Sequence, residues 1–291
     1  MALFNRDKFK RIFFLVWPFL ALAVVVFFSW NYIKQFLPIS IDEEVKPNPE
    51  VIYDMRDIQD ELLPMSFTDR QARMEKFLTA EEAAAIFGAG ETAGPDTDLA
   101  AAVLKAPPGT VITLVTGEYR LNFNLDKDIT LVGAGEGTIL LAADSEQPVI
   151  KSVGAKIVLS NLVIKDSKIG ILAEGGEIEV KRVKLDNLAA TACYGSGVKL
   201  DFSESYIYNS LSALKLLNSS GAITDSIIKD NAKSGVELRQ SEFKIEGNVI
   251  TNNKSYGVFL DGYSQAEIKN NYIEGNIGWN VRVEGERKIY K

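Results

Sequence analysis

The side chains available for chemistry in this chain are set first by a gap. Among 291 residues there is no histidine, and one cysteine, Cys193. Ser-His-Asp and Cys-His catalysis, imidazole acid–base work and His-based metal sites are therefore excluded, as are an internal disulfide and a Cys-cluster zinc site. Carboxylate, Lys, Arg and Tyr chemistry remains. The bases on outward strand positions are Lys181, Lys184, Lys199, Lys215, Arg239 and Arg282, but they fall in different columns of the repeat described below, as a solvated charged face would have them. Asp166, Asp230 and Asp261 are the carboxylates placed to contribute to calcium, yet none of the three belongs to an Asp-x-Asp cluster, so no cofactor is expected and calcium lacks support. Gly88, Gly90 and Gly94 have neither the preceding strand nor the Lys-Ser/Thr of a phosphate loop and read as a flexible junction. A net charge of −7 argues against nucleic acid, whose phosphates select a basic surface.

The elements that must position these groups emerge as a repeat. With 46% hydrophobic residues the chain can bury a core, and from Val111 its apolar residues recur about every 22 positions. One column is Leu159, Val180, Phe202, Ile223, Ile245 and Ile268; a second, five residues later, is Ile164, Leu185, Ile207, Ile228, Ile250 and Ile273. A third is Ile171, Ala192, Leu214, Val236, Val258 and Val281, and a fourth, two residues on, is Ala173, Tyr194, Leu216, Leu238, Leu260 and Val283. Short strands coiled so that each copy stacks on the next explain this spacing. Two residues after the second column stand Asp166, Asn187, Asn209, Asp230, Asn252 and Gly275, types that tolerate the left-handed bend of a tight turn. Small residues precede the third column at Gly170, Thr191, Ala213, Gly235 and Gly257. Roughly two further coils over residues 111–154 bring the total to about eight, a rod of about 38 Å at the spacing of paired strands.

The pattern resembles the right-handed parallel β-helix proteins of the pectin-lyase type, especially their repeat-only members. The likeness rests on Pro108-Gly109-Thr110-Val111-Ile112-Thr113-Leu114 through Tyr119, on Asp128-Ile129-Thr130-Leu131-Val132-Gly133, and on coils such as Ile245-Glu246-Gly247-Asn248-Val249-Ile250-Thr251-Asn252-Asn253. It covers roughly residues 96–285. The resemblance implies an all-β fold with a helical cap, and polysaccharide lyase, hydrolase or uronate epimerase activity. The paired aspartates and Gly-His-Gly of the hydrolases are missing, as is the Asp-Pro-His-Asp of the epimerases. A lyase using Lys or Arg as base is what the resemblance leaves open.

One outward position, just before the second column, carries Val163, Lys184, Tyr206, Ile227, Val249 and Tyr272, with Tyr208 close by. Five of the six are apolar or aromatic, the mark of an interaction surface. It would stack sugar rings, or be covered by the chain's own segment 56–88, or meet another protein.

Ahead of the repeat, Ile12 to Trp30 is uncharged, and 19 residues at helical rise give about 28 Å, the hydrocarbon thickness of a bilayer. Trp17 and Pro18 lie within this run, and Trp30 and Tyr32 sit at its far end, where amphipathic rings prefer the headgroups. Arg6, Lys8, Lys10 and Arg11 against Asp7 keep the N-terminus cytoplasmic and leave −10 for residues 12–291. A cleaved signal peptide is the rival, but the small-x-small pair Ala21 and Ala23 stands in mid-run. The expected order is a cytoplasmic stub (1–11), a transmembrane anchor (12–33), a linker and helical stalk (34–95), and a cap helix with the β-helix (96–291). Capping boxes at Thr68 and Thr79, a stop at Gly88 and a cap helix Leu99–Lys105 complete the helical part. The expected protein is a non-catalytic scaffold or binding subunit at the inner membrane, its β-helix in the periplasm or outside. Its expected partners are the membrane and envelope proteins, with polysaccharide or a uronate-polymer lyase activity as the alternative and oligomerisation through the last coil as a third reading.

Overall fold

The computed structural model describes residues 77–88 and 90–284. The chain divides into two compact units, Met1–Lys46 and Pro47–Lys291, and all described residues belong to the second. The anchor, the Thr68 box and the stalk up to residue 76 lie outside the described residues. Among the described residues no helix is long and apolar enough to cross a membrane.

Every ladder in the sheet is parallel, and each strand pairs with its counterpart one coil away, which defines a parallel β-helix with three faces. The first face runs from Glu91–Ala93 through Thr110–Leu114 and Ile129–Gly133 to Lys199–Ser203, Ser220–Thr224, Glu242–Glu246 and Gln265–Lys269. The second includes Gly117–Arg120, Thr138–Leu141, Tyr206–Tyr208, Ile227–Lys229, Val249–Thr251 and Tyr272–Glu274. The third includes Phe123–Leu125, Ile150–Val153, Ser212–Leu217, Val236–Arg239, Tyr256–Leu260 and Trp279–Val283. Two continuous strands, Lys156–Glu174 and Glu177–Ser196, bend through all three faces. Eight complete turns result, and Glu91–Ala93 adds the beginning of a ninth. That short strand replaces the junction expected around Gly90, because its backbone pairs with Ile112–Leu114.

The apolar columns fill the interior as the repeat requires. Leu159, Val180, Phe202, Ile223, Ile245 and Ile268 stack in register, as do Ile164, Leu185, Ile207, Ile228, Ile250 and Ile273. The third and fourth columns need a correction in one coil. Cys193, not Ala192, pairs with Ile171 and Leu214, and Gly195, not Tyr194, pairs with Ala173 and Leu216. The cause is a register shift between Ser167 and Ile169, which inserts one residue into the coil that follows and turns the succeeding side chains to the opposite face. Tyr194 therefore stands outward, in line with Leu172 and Lys215. The small residue of that coil is likewise Ala192, whose carbonyl faces Gly170, rather than Thr191.

All six expected turn residues after the second column hold positive φ, from 52° at Asn209 to 68° at Gly275. Two further corners also bend through the left-handed region, one at Asn161, Arg182, Glu204, Asp225 and Asn270 and one at Asn218 and Gln240 among others. In the later coils a Ser or Asn at the bend points inward and accepts a backbone N–H from the coil before. Val183, Ser205, Ser226 and Asn248 donate to Ser205, Ser226, Asn248 and Asn271 in turn. A second ladder joins Leu188, Ser210, Asn231, Asn253 and Asn276, and a third joins Val198, Ser219, Ser241 and Ser264. These ladders satisfy corner N–H groups that no strand reaches.

The cap helix Leu99–Lys105 starts on Asp98, whose carboxylate accepts the Ala101 N–H, and it buries Leu99 and Val103 against the first coil. Lys127 holds its far end by donating to the Leu104 and Ala106 carbonyls. Helix Ala80–Phe87 carries the expected capping box between Thr79 and Glu82 and stops at Gly88. Backbone crowding is severe at Gly221, which has φ 142° and where a Cβ would lie 1.8 Å from the Leu200 carbonyl oxygen. Gly221→Ala is expected to cost about 2 kcal/mol, read as a lower urea midpoint with an unchanged slope.

Candidate functional site

The outward stripe on the second face is a true column: Val163, Lys184, Tyr206, Ile227, Val249 and Tyr272 are register partners in that order. Its middle is a tight cluster. The Tyr206 and Tyr208 rings meet edge to face at 4.8 Å. Lys184 Nζ lies 5.3 Å from the Tyr208 ring centre and donates to Glu136 at 3.0 Å, while Lys229 Nζ lies 5.5 Å from the Tyr206 ring centre. The stripe is not uniformly open. Val163, Ile227 and Val249 are buried, Lys184, Tyr206 and Tyr208 half-buried, and Tyr272 exposed, with its hydroxyl donating to Glu274.

The electrostatics of this cluster favour its protonated forms. Partial burial opposes the charge on Lys184, but hydrogen bonds to Glu136 and Tyr208 outweigh it and push the ammonium up to about 12. Burial, reinforced by Asp186 and opposed by Lys184, pushes the Tyr208 phenol up to about 12. Near neutral pH the pair is an ammonium beside a neutral phenol, and neither is a ready base. Because the folded phenol titrates above its ordinary 10.0, its contribution is complete below pH 10 and disappears as pH rises through about 12. Across that window the melting temperature of the native chain is expected to fall more than that of Tyr208→Phe; parallel falls would contradict the assignment.

The other bases do not converge. Lys181 pairs with Glu204 and Lys199 with Glu177 on the first face, and Lys215 and Arg239 share Glu237 on the third. Arg282 lies over the exposed Trp279 ring, 5.9 Å from its centre. Burial pushes the Cys193 thiol up to about 12, so it is no nucleophile. Asp166, Asp230 and Asp261 are separated: Asp166 accepts from Asn187, Asp230 faces Lys229, and Asp261 accepts from Gln240 and Ser264. Among the described residues no group of three or more His, Cys, Asp or Glu is placed to hold a metal.

A feature not read from the sequence is a recess of about 610 Å³ on the first face, lined by Ser220, Glu242, Lys244, Gln265, Glu267 and Lys269. The small residues Ser220 and Gly221 open it beside charged coils, and that pair of small types was the available signal. Lys244 pairs with Glu246 and Lys269 with Glu267, and these contacts raise both lysines. The recess thus holds cations already matched by anions.

The family described as right handed beta helix region matches residues 149–287. The fold is a right-handed parallel β-helix. No curated protein matches it by sequence. Solved structures with a similar chain path include an alginate lyase from Paenibacillus sp. str. FPU-7 (10% identity, 67% of this chain and 97% of that chain, TM-score 0.43). The A-modules of the Azotobacter vinelandii mannuronan C-5 epimerases AlgE6 (15% identity, 63% and 66%, TM-score 0.40) and AlgE4 (14%, 62% and 72%, TM-score 0.33) also follow it. At these values no residue of those enzymes transfers a role to this chain.

Proposed function

We propose that the β-helix is a non-catalytic scaffold that presents flat faces to other proteins of the cell envelope, tethered by a transmembrane anchor at residues 12–33 with the rod on the outer side of the inner membrane. The observation that carries this reading is the state of the second-face cluster: Lys184 and Tyr208 stay protonated and engaged with Glu136, Asp186 and each other, a packed surface rather than a poised base. Incubating the full chain with alginate and with pectate should yield no ultraviolet-absorbing unsaturated product and no change in the ratio of uronate epimers. Turnover that disappears in Lys184→Ala would overturn the proposal.

A second reading, glycan binding, is favoured by the exposed rings of Tyr263, Tyr272 and Trp279 on the last two coils, with Arg282 over the indole. A sugar stacked on Trp279 beside a guanidinium would gain about 1 kcal/mol. Trp279→Ala would then weaken retention on an alginate column about fivefold; unchanged retention removes this reading.

A further inference from the structure

The second face carries a contradiction in its burial. Successive side chains of a strand alternate between interior and outside, and Ile164, Ile207, Ile228 and Ile250 take the interior positions. Their neighbours Val163, Ile227 and Val249 therefore point outward, as does Thr251. Yet these four are only 5%, 0%, 1% and 6% exposed, and none belongs to the interior cluster. An outward valine or isoleucine on an open sheet face keeps part of its surface in water unless another element lies over it. We propose that the chain's own segment 52–76 docks along this face, over Tyr206, Ile227 and Val249.

Three observations select this occupant. The described chain begins beside the face: Phe77 lies against Gly135, and Leu78 exchanges two hydrogen bonds with Asn161 at the corner between the first and second faces. Reach is sufficient, since five coils separate Asn161 from Asn270, about 24 Å at strand spacing, which about 16 helical residues span. The segment also has the right chemistry. Ile52, Met55, Ile58 and Leu62 recur at helical spacing on one side. Asp54, Asp57, Asp60 and Glu61 complement Lys165, Lys184 and Lys229, which line the face. The stripe is thereby an internal dock that ties the stalk to the rod, and the faces left to partners are the first and third. This holds whether the rod is a scaffold or a glycan binder.

The test places a photoreactive benzoylphenylalanine at Tyr206 in the full-length chain and maps the adducts by mass spectrometry. The proposal expects an intramolecular crosslink to residues 52–76 with no change in chain mass, lost in the double variant Ile58→Asp, Leu62→Asp. A crosslink to a second copy, to another protein or to polymer would overturn it, and so would the absence of any adduct within 52–76.

Discussion

Asn248→Leu is expected to lower the stability of the β-helix by about 4 kcal/mol, far more than removing an exposed corner amide such as Asn209, at about 1 kcal/mol. Asn248 is fully buried and joins three coils. Its Oδ1 accepts the Ser226 N–H at 3.0 Å, and its Nδ2 donates to the Ile223 carbonyl at 2.7 Å and to Asn271 Oδ1 at 3.0 Å. Leucine has nearly the same size and none of these groups, so the Ser226 N–H and one lone pair of Ile223 are left dry and unpaired. Each such orphan costs about 1–3 kcal/mol. Asn209 instead reaches out to Asp186 at 3.2 Å in solvent, where water replaces what is lost. Urea unfolding of the two variants measures the difference, and equal midpoints would contradict a ladder that holds the corners.

The second large effect separates two neighbouring residues. Cys193→Asp is expected to cost more than about 4 kcal/mol, because Cys193 packs between Ile171 and Leu214 in the interior and a carboxylate there has no partner. Tyr194→Asp should cost about 1 kcal/mol or less, since Tyr194 is half-buried and outward. Circular dichroism melts of both settle the register, and a Tyr194 variant that unfolds while the Cys193 variant stands would restore the column read from the sequence.

That pair also shows where the sequence was legible. The first two columns and the bends from Asp166 to Gly275 were readable because each coil repeats the residue type that its position needs: branched apolar inside, Asn, Asp or Gly where φ is positive. The third column slipped at Cys193 because a single residue inserted at Ala189–Ala190, opposite Lys168, leaves hydrophobicity intact while reversing the faces. The corner at Arg182 and Glu204 was invisible for a different reason. Neither type favours positive φ, and their pairing at 2.5 Å, with Lys181 at 3.4 Å from Glu204, is a tertiary feature without local pattern. The second-face stripe was readable as a column, yet not as a partly buried one. Alternation reports which way a side chain points, whereas coverage depends on what lies over it. The first-face recess needed the same three-dimensional information, because it arises from small residues of one coil set among long charged ones of the next.

The role proposed for this β-helix is to hold proteins together at an envelope membrane. The most direct measurement is isolation of the full-length chain from solubilised membranes, followed by mass spectrometry of what accompanies it. Companion envelope proteins in stoichiometric amount are the expected result. Recovery of the chain from the soluble fraction, or with polysaccharide and no protein companion, would contradict it.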